Sequence, residues 1–443
     1  LYREERTLPG EETLRVLDVA AKMLGETSVK LSFQRKMEKM AYYDQLTGVP
    51  NRQFLGEYMK SALENASKSK EPLAVFFIDI DSFKLINDTL GHHSGDQILK
   101  VIAQRVKQEL HSNDFICRFG GDEFLILISS QDSYEDYLTF ARKLVNSISL
   151  PIFSEGQKYT ITASLGVSIY PDDGIDYETL IKNADNAMYK AKEKGKNQYV
   201  ICTEEIKAEV RRKQIITSDL YRALEKRELF LMYQPQISLL DGMQRGMEVL
   251  ARWKHPIYGM ISPDVFIPIA EQTGVIESIG LWIIGEACRQ EKEWEVQGLS
   301  ALRIAVNVSV KQLLYPDFIK HIQELLDKMQ MEASHLEFEI AENIAIHETE
   351  AIVPILNQIK KMGISIAIDD FGMEYSSLSR IQSLPVNRLK IDMNFIQGIT
   401  KGEKDQIIID VIIKLAKRLK IEVIAEGVEK EEEVQFLAEK GCQ

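Results

Sequence analysis

The chain has 443 residues, 45% hydrophobic and 27% charged, the make-up of an ordinary globular protein with room for two or three domains. A formal net charge of -13 weighs against a nucleic-acid polymer as the main partner, because such affinity rests on neutralising phosphates with Lys and Arg. No apolar run reaches the roughly 18 to 20 residues that span a bilayer, no signal-peptide pattern opens the chain, and Cys117, Cys202, Cys288 and Cys442 have neither disulfide nor zinc spacing.

A reducing, cytoplasmic setting without membrane contact in this chain is therefore expected, and the start at Leu1 suggests a longer protein with a sensor or membrane region ahead of it. From Gly10 to Met40 the pattern is helical, with Leu14, Leu17, Ala21, Leu24, Ser28 and Leu31 at coiled-coil spacing. Two readings stay open for this N-terminal helix: a seam between two copies, or a helix packed on its own domain.

Residues 41 to 201 alternate β-rich runs with helical ones (Gly95 to Leu110, Tyr177 to Lys194), an α/β or α+β domain with a partly antiparallel sheet. Within it, "FICRFGGDEFLILIS" (Phe115 to Ser129) predicts a β-hairpin whose Gly120 and Gly121 supply the positive φ of a tight turn. Taken alone, Asp122 and Glu123 are equally well acids that keep an exposed turn soluble. The apolar strand "LAVFFIDI", however, ends in Asp79, with Asp81 two residues on. If that strand pairs with the hairpin, Asp79, Asp122 and Glu123 meet at one sheet edge, where they repel unless a hard cation such as Mg²⁺ joins them with substrate phosphates.

Four blocks in order, "DQLTGVPNR" (Asp44 to Arg52), "DIDSFKLINDTLGHHSGD" (Asp79 to Asp96), "RFGGDEF" (Arg118 to Phe124) and "ADNAMYKAKEKGKNQY" (Ala184 to Tyr199), resemble the GGDEF diguanylate cyclases. The resemblance implies that Asp79, the main-chain carbonyl of Ile80 and Asp122 hold Mg²⁺, with Glu123 catalytic beside them. It further implies that Asn87 and Asp96 bind guanine and that Lys192 and Lys196 bind the triphosphate of GTP. Lys196 stands where the family commonly has Arg, so it supplies charge without a fork of donors. Each subunit would carry half an active site, so a homodimer is implied. The family's inhibitory R-x-x-D is degenerate here, "HSND", with His111 for Arg and Asp114 kept.

A polar helix-like stretch, Thr203 to Leu220, separates this domain from the next, and residues 202 to 217 are expected to link them. From residue 218 onward strand-then-helix units repeat, and polar residues recur at or after the ends of apolar runs: Glu248, Asn307, Glu339, Asp369 with Asp370, Lys390 and Glu426. That is the layout of a (β/α)₈ TIM-type barrel with its site on the C-terminal face. Such a ring suits two divalent metals around a phosphodiester and an activated water.

These strings resemble the EAL cyclic di-GMP phosphodiesterases over residues 218 to 443. The resemblance implies that Glu248, Asn307, Glu339 and Asp369 hold one Mg²⁺ or Mn²⁺ and that Asp370 helps hold a second. Lys390 and Glu426 would position or activate water, Gln234 and Arg252 would contact cyclic di-GMP, and Glu342 and Glu429 would support them. Two departures stand out. The loop after Asp370 reads "DDFGMEYSS", with Met373 and Glu374 for a small residue and a glycine, and the chain stops at "EKGCQ", before the last strand that closes a barrel. Residues 1 to 40 resemble the end of a GAF sensor domain followed by a signalling helix. Three functions follow: a bifunctional enzyme, a phosphodiesterase with a GTP-responsive regulatory half, or a non-catalytic cyclic di-GMP receptor.

Overall fold

A computed structural model of the chain describes residues 22–23, 36–37, 39–129, 134–154, 157–298, 302–342, 349–372, 384–400 and 402–442. Most of the expected N-terminal helix, its dimer seam, the GAF-like piece and the Met373–Glu374 loop lie outside the described residues. The chain divides into two compact units, Leu1–Arg212 and Lys213–Gln443.

The first unit runs α1 (Arg52–Ser69), β1 (Leu73–Ile80), α2 (Phe83–Glu109), β2 (Phe115–Gly120), β3 (Glu123–Ser129), α3 (Tyr134–Ile148), β4 (Ile152–Ser154), β5 (Gln157–Tyr159), β6 (Ala163–Tyr170), α4 (Tyr177–Glu193) and β7 (Tyr199–Ile201). Its five-stranded sheet has the order β2-β3-β1-β6-β7, antiparallel except for β6 with β7. Strand β1 is buried at every residue because helices cover both faces. Ala74, Phe76 and Ile78 enter one core cluster; Leu73, Val75 and Phe77, pointing the other way, enter a second.

Two local expectations needed adjustment. The helix expected from Gly95 begins at Phe83 and is kinked at Gly91, whose φ of 80° is cheap only for glycine. In the hairpin only Gly121 takes a positive φ, 47°, because β2 runs on to Gly120, which pairs with Glu123. An extra residue, Phe119, bulges between Arg118 and Gly120 and moves the turn along by one position.

The helix-like stretch Thr203–Leu220 forms helix α5 (Glu204–Ala223), and the division between units falls within it. The second unit continues with β8 (Leu229–Ile237), β9 (Gln244–His255), β10 (Gly259–Ile261), α6 (Pro263–Thr273), α7 (Ile276–Val296), β11 (Arg303–Asn307), α8 (Val310–Leu313), α9 (Phe318–Met329) and β12 (Leu336–Ala341). It ends with α10 (Thr349–Lys361), β13 (Ser365–Phe371), β14 (Arg388–Ile391), α11 (Met393–Gly398), α12 (Glu403–Leu419), β15 (Glu422–Ala425) and α13 (Glu431–Lys440). Strands β9, β11, β12, β13, β14 and β15 pair in parallel in that order, and β8 lies antiparallel on β9. The sheet stays open between β8 and β15 among the described residues, a partial TIM-type barrel. The four cysteines are buried and, among the described residues, no disulfide joins them, and no described helix is long and apolar enough to cross a membrane.

Candidate active sites

In the first unit, the β1–β3 ladder sets Asp79 directly opposite Glu123. Lys192, from the last turn of α4, brings its Nζ to 2.7 Å from Asp79 Oδ1. Close docking of α4 makes this reach possible: a Cβ on Gly166 of β6 would lie 1.9 Å from the Ala184 carbonyl oxygen and 2.2 Å from Met188 N. Asp81 is already satisfied, accepting hydrogen bonds from Thr162 Oγ1 and Ser164 Oγ, each at 2.7 Å, and from the Asn197 amide at 3.1 Å. It thereby fastens the turn that carries Lys196, whose Nζ donates to Ser82 Oγ at 3.0 Å.

Asn87 and Asp96 lie on either side of the Gly91 kink. A Cβ on Gly95 would fall 2.0 Å from Asn87 Oδ1, so the glycine makes room for that carboxamide beside Asp96. Burial raises the Asp79 and Glu123 carboxyls; Lys192 opposes the shift at Asp79, and neighbouring acids reinforce it at Glu123. One of those acids, Asp185 on α4, was not singled out from the sequence; its signal was a place two turns before Lys192 on one helix face. His111 and Asp114 form a local turn, with Asp114 Oδ2 accepting from the His111 amide at 2.8 Å.

In the second unit the strands deliver the ring that their spacing predicts. Lys390, 1% exposed, places its Nζ 3.1 Å from Glu248 Oε2, 2.9 Å from Glu339 Oε2, 2.9 Å from Asp369 Oδ1 and 2.6 Å from Glu426 Oε1. Asn307 Nδ2 donates to Glu248 and Glu339, both at 3.2 Å. Adjacent strand residues normally point to opposite faces, yet Asp369 and Asp370 both serve this end. A bulge between Ile368 and Phe371 and a left-handed Asp370 (φ 55°) turn the second aspartate back.

Among the described residues, two groups of three acids have ligand atoms all within 4.8 Å of one another: Glu248, Glu339 and Asp369, and Asp369, Asp370 and Glu426. Asp122, in the turn, lies close enough to act on both Asp79 and Glu123, but these three acids do not form such a group. Glu339 Oε1 is buried with no hydrogen-bond partner, and burial holds its carboxyl well above the ordinary range. An oxygen-rich site with such an orphaned acceptor fits one or two hard divalent cations. Burial likewise pushes Asp370 up to about 6, helped by Asp369 and Asp392, and Glu426 up to about 7 against the pull of Lys390. The same field holds Lys390 protonated in spite of its burial.

The supporting residues divide. Glu342 is buried and accepts the Gly372 amide at 3.0 Å, tying down the segment after Asp370. Glu429 is exposed, and its main-chain amide donates to Glu433 Oε2 at 3.0 Å. Gln234 faces Glu248 across the β8–β9 ladder, whereas the Arg252 Nη1 turns to its neighbour's carbonyl, Ala251 O, at 2.9 Å. Asp392, two residues after Lys390, was missed by the sequence reading; it hydrogen-bonds Asp370 and caps α11 through the Asn394 amide.

A family model described as "Diguanylate cyclase, GGDEF domain" matches residues 41–198, and one described as "EAL domain" matches residues 217–443. The bifunctional diguanylate cyclase/cyclic di-GMP phosphodiesterase MucR of Pseudomonas aeruginosa is 39% identical over 408 residues, 92% of this chain and 59% of that protein. The cyclic di-GMP phosphodiesterase NbdA of the same organism is 36% identical over 407 residues, 92% of this chain and 52% of that protein. The chain thus spans little more than half the length of these curated relatives. A solved structure of the S helix-GGDEF-EAL part of Vibrio cholerae LapD, bound to c-di-GMP, matches 94% of this chain and 98% of its own with a TM-score of 0.59; at 21% identity the likeness is one of fold.

Proposed function

The chain belongs to the tandem GGDEF–EAL proteins of cyclic di-GMP metabolism, and from that premise we propose that residues 41–201 condense two GTP into cyclic di-GMP while residues 218–443 hydrolyse it to pGpG. The observation that carries the hydrolytic half is the ring of four carboxylates from separate strands around Lys390. Glu248, Asn307, Glu339 and Asp369 would hold one cation and Asp370 would help hold another, with Glu342 bracing the segment behind. Mg²⁺ or Mn²⁺ there supplies Lewis acidity and neutralises charge at the phosphodiester. Glu426 takes a proton from the attacking water and Lys390 orients it. As the new P–O bond forms, the P–O3′ bond breaks, and the departing oxygen gains a proton to leave a 3′-hydroxyl and a 5′-phosphate. Gln234 and Arg252 would hold the cyclic dinucleotide, and Glu429 would support Glu426 from the segment that follows it.

In the synthetic half, Asp79, the Ile80 carbonyl and Asp122 would hold Mg²⁺ on the triphosphate of GTP. Asn87 and Asp96 would read guanine, and Lys192 and Lys196 would meet the β- and γ-phosphates. The 3′-hydroxyl of one nucleotide attacks the α-phosphorus of the other, the bond to pyrophosphate breaks, and Glu123 receives the hydroxyl proton. Since this happens twice between two nucleotides, a homodimer presents one GTP from each copy.

A second reading, net phosphodiesterase with a GTP-binding regulatory half, draws support from the contrast between the sites. The barrel acids already close into two ion-sized groups, whereas Asp79 is paired to Lys192. Chromatography of products from GTP and from cyclic di-GMP, with Mg²⁺, separates the readings. Asp122→Ala should abolish synthesis and spare hydrolysis, and Glu248→Ala should do the reverse. A wild-type chain that converts cyclic di-GMP but not GTP would leave only the second reading.

A further inference from the structure

We infer that Arg52 is a contact for the phosphates of the second GTP, the one brought by the other copy of the chain. This rests on the reading of the first unit as a cyclase. A cleft of about 450 Å³ lies along the outer side of the glycine turn, lined by Asp44, Asn51, Arg52, Gln53, Arg118 and the Phe119–Gly121 backbone. It adjoins the acids already described, since a Cβ on Gly120 would stand 3.8 Å from Glu123 Oε2.

The two arginines of this cleft are differently committed. Arg118 donates from Nε and Nη2 to Gly121 O at 2.9 and 2.6 Å and from Nη1 to both Asp44 oxygens at 3.1 and 3.2 Å. Asp44 is further satisfied by the Thr47 amide and hydroxyl, so the pair is a neutral clasp that fixes the turn. Arg52 is exposed, and among the described residues no hydrogen bond or ion pair engages its guanidinium, which stacks 4.4 Å from the centroid of the Phe119 ring. Phe119 is the bulged residue of β2, and its ring is wedged edge-on against Phe77 at 5.2 Å. The bulge thus builds a platform that holds a planar cation by its face and leaves the N–H edge free, an arrangement matched to phosphate oxygens.

The nucleotide held by Asp79, Lys192 and Lys196 uses the inner side of the turn. Condensation needs the α-phosphate of a second nucleotide within bonding distance of the first nucleotide's 3′-hydroxyl, and the outer cleft with its uncommitted cation is where the chain can receive those phosphates. Arg52 would then meet charge that develops on the α-phosphate and pyrophosphate during attack.

The test compares wild type, Arg52→Ala and Arg52→Lys in the full chain. Calorimetry measures binding of α,β-methylene-GTP, whose replaced bridge cannot be cleaved, and chromatography measures cyclic di-GMP from GTP. Arg52→Ala should bind the analogue within about twofold of wild type yet form product roughly 100-fold more slowly, the scale for losing one donor to transition-state charge. Arg52→Lys should recover only part of the rate. If wild type makes cyclic di-GMP and Arg52→Ala matches it, the inference falls and the cyclase reading stands. Equal loss of analogue affinity and of rate would make Arg52 a prop of the first site and overturn the inference. A wild-type chain that binds the analogue and makes no product overturns the cyclase reading, and the inference with it.

Discussion

Lys390 Nζ and Glu339 Oε2 meet at 2.9 Å across the intervening strand β13, and both side chains are buried to within 1% of full enclosure. The ammonium counters four carboxylates, so a divalent cation entering the ring meets both its ligands and a like charge. Lys390→Met should therefore bind Mn²⁺ at least as tightly as wild type, while hydrolysis of cyclic di-GMP falls by roughly 100-fold or more for want of the donor that orients water. Calorimetric titration and product chromatography check the two halves. Retained hydrolysis would show that Lys390 serves only as a counter-charge.

Gly166→Ala probes how α4 reaches the synthetic site. The added methyl would strike backbone, the Ala184 carbonyl and the Met188 amide, which cannot rotate aside as a side chain would. The helix must shift, at an overpacking penalty of about 1–3 kcal/mol, and Lys192 shifts with it. Urea unfolding should reveal the loss of stability, and affinity for α,β-methylene-GTP should drop. Unchanged affinity would separate the docking of α4 from nucleotide binding.

How far the sites were legible depended on whether chemistry followed strand periodicity. Glu248, Asn307, Glu339, Asp369, Lys390 and Glu426 could be assembled from sequence because parallel strands present equivalent positions at one end. Asp370 could be named only by resemblance, since a regular strand would aim it away from Asp369; the bulge that turns it back leaves no mark in residue type. Asp185 and Asp392 gain their parts through tertiary packing, which sets Asp185 within reach of Glu123 and Asp392 beside Asp370. The Gly91 kink was hidden by a run, "GHHSGD", whose composition reads as a loop. Glu337 and Arg388 are legible by strand periodicity, since each lies two residues before a ring member, on the same inward face.

Arg388 and Glu337 form a buried pair beneath the ring, with Arg388 Nη1 at 3.1 and 2.9 Å from the two Glu337 oxygens and Nε at 2.7 Å from Glu422 Oε2. Arg388→Met would strand the carboxylate of Glu337, which is 0% exposed, and should destabilise the barrel by about 3–5 kcal/mol. Combining it with Glu337→Leu should restore most of that loss, because the second change removes the orphaned charge. Urea unfolding of the three variants measures this coupling. A single-variant loss below about 1 kcal/mol would mean that Glu337, already pushed up to about 7 by burial, takes a proton instead of staying charged, or that Arg303, whose Nη1 lies 3.8 Å from Glu337 Oε2, takes over the partnership.

Asp370 and Glu426, raised by burial to about 6 and about 7, contribute to the pH dependence of the metal-free barrel in the same sense as Glu337 and Glu339, which burial also raises. An acid whose pKa rises on folding keeps a proton that the unfolded chain has already released. Each group therefore makes stability fall as pH climbs from the ordinary carboxylate range to its folded value, with no further change above it. Asp370→Asn removes one such group, and asparagine tolerates the left-handed backbone at this position. In EDTA the variant and wild type should melt together near pH 4, and the variant should melt progressively higher than wild type from pH 5 to pH 7. Mn²⁺ should reverse the order at pH 8, since the cation binds the ionised carboxylates and the variant lacks one of them. Melting curves at each pH, with chelator and with Mn²⁺, read both comparisons; a variant that melts below wild type in EDTA at pH 7 would mean that Asp370 is ionised and stabilising without the metal.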